Sequence, residues 1–70
     1  MQRGFGRAVR RRREAVGLSQ EAMAFEAGVH RTFVSLIERG LGNPSLTVMV
    51  RLAAALECSL ASLMREAEGA

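Results

Sequence analysis

Arg31 and Thr32 stand near the front of a short stretch, "HRTFVSLIERG" (residues 30–40), whose side chains suit the recognition of base edges. A guanidinium is a planar fork of donors that can bond two acceptors of one guanine. A threonine offers neighbouring bases both a hydroxyl and a methyl group. Val34 and Ile37, three apart, mark an inward apolar side, while Arg31, Thr32, Ser35 and Leu36 lie outward and Arg39 sits near the end. A helix is about as wide as a DNA major groove, so an exposed helix with this polar front can enter one. Ser19 and Gln20 open the preceding helix, where free backbone N–H groups and the positive dipole end attract a phosphate. The Gln20 amide can bridge a phosphate and a side chain on the next helix. Asn43 and the helix start around Ser45 make a second phosphate grip, and two grips flanking a reading helix fix its register on a duplex.

Other chemistries find little support. The sequence has no aspartate, no nucleophile beside a base, no glycine-rich phosphate cradle and no metal-ligand cluster, so no enzyme activity and no cofactor are expected. One cysteine, Cys58, and one histidine, His30, cannot build a structural zinc site, which takes four ligands. Cys58 reads as a small buried apolar group and His30 as a weak helix cap.

Five helices are readable and no strand is, because no alternating apolar run is bounded by turn residues. The first covers about 5 to 16, with Phe5, Ala8, Val9, Ala15 and Val16 on one face and Gly17 at its end; Gly4 and Gly6 leave its start loose. The second begins at the cap Ser19, uses Ala22, Met23 and Ala27 as apolar positions, and stops at Gly28. The link "AGV" is so short that the next helix, about 30 to 39, must turn sharply from it, as in a helix-turn-helix spanning about 19–39. Ala24 is small enough for the two to approach closely. "GLGNPS" then turns the chain and caps a fourth helix over about 45 to 56, striped by Leu46, Met49, Leu52, Ala53 and Leu56. Ser59 caps a fifth over about 60 to 67, striped by Leu60, Leu63, Met64 and Ala67. Leu60, Leu63 and Met64 can close the core, form a dimer seam, or do both.

The 70 residues suit one domain, 1–70, with about half of them apolar. No apolar run approaches the ~18 residues that would span a membrane, and residues 1–15 lack a secretory core segment, so a cytoplasmic protein is expected. Every basic residue is arginine and every acidic one glutamate. Residues 1–18 carry a balance of +5, residues 19–51 balance at zero, and residues 52–70 carry −2. A positive end suits an anionic partner, with nucleic acid or a membrane surface as the options, although a solvated basic helix explains the charge equally well. Arg10 to Arg13 cannot all face one partner, because successive helical residues turn by about 100°.

"LSQEAMAFEAGVHRTFVSLIERG", followed by "NPSLTVMVRLAAALECSLASL", resembles the Cro/repressor-type (Xre-like) helix-turn-helix family over roughly residues 5 to 64. The resemblance implies an all-α, five-helix, lambda-repressor-like DNA-binding domain, usually a homodimer on a two-fold symmetric operator. It implies base reading by Arg31, Thr32, Ser35 and Leu36, backbone contact by Gln20, Arg39 and Asn43, and contact of Phe33 with the sugar-phosphate backbone or base methyls, with a plain core role as the alternative for Phe33. It also implies an ion pair, Arg13 with Glu38, tying the first helix to the end of the third. The size and the "HRTFVSLIERG" variant further resemble controller proteins of restriction-modification systems. Arg12 departs from the leucine common at its position and thins the apolar face of the first helix. Gly42 replaces a residue often basic in relatives, and His30 a better cap.

The function expected is sequence-specific binding of double-stranded DNA as a transcription regulator, with no small-molecule effector. The alternative is a protein-interaction module, antitoxin-like or an adaptor, using an apolar C-terminal surface. The first predicts affinity that falls steeply with salt, and the second little salt dependence. RNA binding is weaker still, since no aromatic platform is present.

Overall fold

Three serines set the starts of three helices. The hydroxyl of Ser19 accepts from the Ala22 backbone N–H at 3.0 Å, that of Ser45 from Val48 at 3.2 Å, and that of Ser59 from Ser62 at 3.0 Å. Each satisfies a donor that a helix start leaves free. The computed structural model describes residues 2–69 as five helices. They are α1 (Gln2–Ala15), α2 (Gln20–Ala27), α3 (Arg31–Glu38), α4 (Leu46–Ala55) and α5 (Leu60–Gly69). Among the described residues there is no strand.

The core takes residues from every helix: Phe5 and Val9 from α1, Met23 from α2, Val34 and Ile37 from α3, Leu52 from α4, and Leu63 from α5. α1 lies against α5 and α3, α2 packs on α3 and α4, and α4 meets α5. Gly28 closes α2 in the left-handed conformation (φ 72°), its N–H donating to the carbonyls of Ala24 and Phe25. That conformation is cheap only for glycine, and here it aims the chain into α3.

Four expectations need correction. α1 begins at Gln2 and runs through Gly4 and Gly6, which are close-approach sites, not a loose boundary. Gly6 is buried, and a Cβ there would drive into the carbonyl oxygen of Ile37 and lie 3.0 Å from that of Glu38. A Cβ on Gly4 would stand 2.7 Å from the Ala67 carbonyl oxygen. Ala15 is exposed, and Leu46 is 65% exposed, because it is the first residue of α4 after the Ser45 cap, before the helix enters the core. Leu63 is fully enclosed and has no free surface to offer a dimer seam, whereas Leu60 and Met64 keep part of theirs.

The end of α4 holds a residue under backbone strain. Glu57 sits at φ 58°, where the other helix ends of this kind use glycine. A left-handed conformation costs a non-glycine residue about 1–2 kcal/mol. Glu57→Gly is therefore expected to raise stability by about 1 kcal/mol, after the added freedom of glycine in the unfolded chain is subtracted. A urea midpoint that stays or falls would show that the Glu57 side chain contributes more than its backbone costs.

Candidate nucleic-acid interface

Four successive arginines occupy four different environments. Arg10 pairs with Glu14 at 3.3 Å on the surface, where such a pair contributes little. Arg11 is exposed. Arg12 donates from Nε to the Leu56 carbonyl at 3.1 Å and from Nη2 to that of Glu57 at 3.3 Å, closing the end of α4. A cation on the last carbonyls of a helix suits the negative end of its dipole. In sequence Arg12 is only a loss of apolar surface; the one signal of its role is a charge on an otherwise apolar face.

Arg13 is the most engaged. Its Nε donates to Glu38 Oε2 at 2.7 Å, Nη2 to Glu38 Oε1 at 3.0 Å, and Nη1 to the Leu18 carbonyl at 2.9 Å. The two side chains are 12% and 3% exposed. The hydrogen bond to Glu38 is the main cause holding the Arg13 pKa above its ordinary value, with burial acting against it. A raised cation contributes fully below its unfolded pKa and is lost only as pH climbs past the folded one, so the pair holds throughout neutral pH.

Gln20, half-buried at the first position of α2, joins this pair: its Nε2 donates to Glu38 Oε1 at 3.1 Å. The glutamine thus braces the end of α3 from α2. On one side it lines a shallow cleft with Arg31, Thr32 and Ser35, and on the other it adjoins Arg13, Ser19, Glu21 and Arg31.

The front of α3 is open. Arg31 and Thr32 are exposed, while Ser35 and Leu36 are half-buried. Arg31 and Ser35 are four apart and Thr32 and Ser35 three apart, so they share a face. Val34 and Ile37, on the opposite side, are 0% and 2% exposed. Phe33 is half-buried and packs against the core. Arg39 is exposed and donates from Nε to the Ser35 carbonyl at 3.4 Å, a weak bond that leaves most of its guanidinium available. Asn43 is exposed in the loop before the Ser45 cap. His30 precedes α3 without a side-chain capping bond. Among the described residues no cluster of His, Cys or Glu could hold a metal ion, and no single helix is long and apolar enough to cross a membrane.

The tight glycine turn, an apolar-backed α3 with a polar front, and an α2 start beside that front define a helix-turn-helix protein of the repressor type. The chain belongs to the Helix-turn-helix family, whose model matches residues 9–63. It is 45% identical over 53 residues to the control protein C.BamHI of Bacillus amyloliquefaciens, a match covering 74% of this chain and 65% of that one. The crystal structure of the restriction-modification controller protein C.AhdI from Aeromonas hydrophila superposes with a TM-score of 0.86 at 42% identity, covering 89% of this chain and 94% of that one. The solution structure of the DNA-binding domain of the P22 c2 repressor gives a TM-score of 0.83 at 30% identity, over 86% and 79% of the two chains. The five-helix repressor-type architecture expected from the sequence is therefore the one found.

Proposed function

We propose that this protein is a sequence-specific regulator of transcription that binds double-stranded DNA as a homodimer, in the manner of a controller protein. The observation that carries the reading is the open polar front of α3, Arg31, Thr32 and Ser35, directly backed by core residues and flanked by Gln20. A helix held rigidly from behind can present its front to a major groove without reorganising. Arg31 and Thr32 read bases, with Ser35 and Leu36 further along the groove. Ser19, Gln20, Arg39 and Asn43 touch the backbone; Phe33, packed against the core, lies beside it and supports the helix. The arginine-rich α1 steers the protein to DNA at long range. The Arg13–Glu38 pair is structural.

Names of relatives support the same reading: C.BamHI is a control protein, and C.AhdI a restriction-modification controller protein. The role is regulatory and not catalytic, and it is exercised in the cytoplasm. The dimer seam draws on apolar surface of α4 and α5 that the fold leaves free: Leu46 and Val50 on α4, exposed by 65% and 50%, and half-buried Leu60 and Met64 on α5. Two such subunits would set their α3 helices into grooves about one helical turn apart.

Selection of binding sites from random DNA tests this. The wild type should recover a two-fold symmetric site. Arg31→Ala should lose about 1–3 kcal/mol at one base position of each half-site and accept other bases there. Recovery of the same site at the same affinity by Arg31→Ala would remove Arg31 from base reading.

A further inference from the structure

We infer that Glu38, buried behind the interface, is a positioning residue for DNA binding, because it fixes which way the Gln20 amide faces. The inference rests on the proposed backbone contact of Gln20 and adds the group that orients it. Glu38 takes three donors, two from Arg13 and one from Gln20. A carboxylate whose two oxygens already take three N–H donors serves here only as an acceptor of hydrogen bonds. Gln20 must therefore turn its NH2 toward Glu38. The opposite flip would set the amide oxygen against a carboxylate oxygen, two acceptors with no proton between them, at a site where the Glu38 side chain is 3% exposed.

Fixing one N–H fixes the rest of the amide. One N–H of Nε2 is spent on Glu38, and the second remains as the donor for a phosphate oxygen, which only accepts. The amide oxygen is held on the other side of the group. An exposed glutamine would have to freeze its flip and its rotamers on binding, and that ordering would reduce the affinity. Here the ion pair does it beforehand. The pair that anchors α1 to α3 thus also orients a contact on α2.

A double-mutant cycle tests the inference, read as affinity for a mixed-sequence duplex of about 30 base pairs, long enough for two half-sites a turn apart. The four proteins are the wild type, Gln20→Ala, Glu38→Gln and the double variant, compared at a temperature where each is folded by circular dichroism. Glutamine at 38 keeps the shape but can donate or accept, so it no longer dictates the flip. Gln20→Ala should weaken binding about tenfold. Glu38→Gln should weaken it by about fivefold in the presence of Gln20 and by less than about twofold in its absence. Equal losses in both backgrounds would mean that Glu38 acts through the fold alone, and would overturn the inference. No loss on Gln20→Ala would instead overturn the backbone contact on which it rests. Should Glu38→Gln not fold, the wild type decides: the two side-chain amide protons of Gln20 should give well-separated NMR signals, one shifted downfield and slow to exchange. Two signals like those of free glutamine would overturn the inference.

Discussion

Arg13→Ala should lower stability by about 3–5 kcal/mol, which makes it the most damaging of the single substitutions. The cost comes from what is left behind. Glu38 remains beneath α1 with its side chain 3% exposed, and loses two of its three donors. The Leu18 carbonyl, at the link into α2, loses its donor as well. A domain of this size has roughly 5 kcal/mol or somewhat more in total, so the variant should be largely unfolded near 37 °C. Urea titration followed by circular dichroism measures it. Arg10→Ala is the internal control: the Arg10–Glu14 pair is 65% and 58% exposed, and its loss should stay within about 0.5 kcal/mol. An Arg13→Ala loss as small as that of Arg10→Ala would show that the buried pair is no more than a surface pair in effect.

Gly6→Ala comes next, with an expected loss of about 3 kcal/mol. Intrinsic propensity argues the other way: alanine in a helix interior is favoured over glycine by about 1 kcal/mol. The sign of the result therefore distinguishes the two terms. A Cβ at position 6 would meet backbone, the Ile37 and Glu38 carbonyls, and backbone cannot rotate aside as a side chain can. α1 would have to lift from the end of α3, where Arg13 holds Glu38. Thermal melts of Gly6→Ala and the wild type decide the matter: a lower midpoint supports the close approach, and a higher one would mean that α1 does not seat on α3 as described.

The features legible in the sequence are local ones. Ser19, Ser45 and Ser59 announce helix starts because a hydroxyl three residues ahead of a free N–H is a pattern within one turn. Gly28 announces the turn, and the spacing of Val34 and Ile37 gives the buried side of α3, hence its open front. The features that stay hidden depend on what another element brings. Gly6 reads as a weak start until the end of α3 is laid over it. Arg12 reads as a defect because its partners are backbone carbonyls, which leave no mark in residue type. Leu63 and Leu46 belong to stripes of equal quality, yet one is fully enclosed and the other 65% exposed, since a stripe does not tell where its neighbours stop. Glu57 carries no sign of its positive φ. In the site, the Arg13–Glu38 pair follows from family resemblance, while the bond from Gln20 to Glu38, eighteen positions apart in the chain, needs the fold.

The most direct measurement is an NMR titration of the protein with a duplex selected by the protein from random DNA, repeated at low and high salt. Amide shifts should concentrate at Arg31, Thr32 and Ser35, with Gln20 and Asn43 following, and should recede as added salt weakens binding. Shifts confined to α4 and α5, with the front of α3 unmoved at saturating duplex, would contradict the claim that this helix is the one that meets DNA.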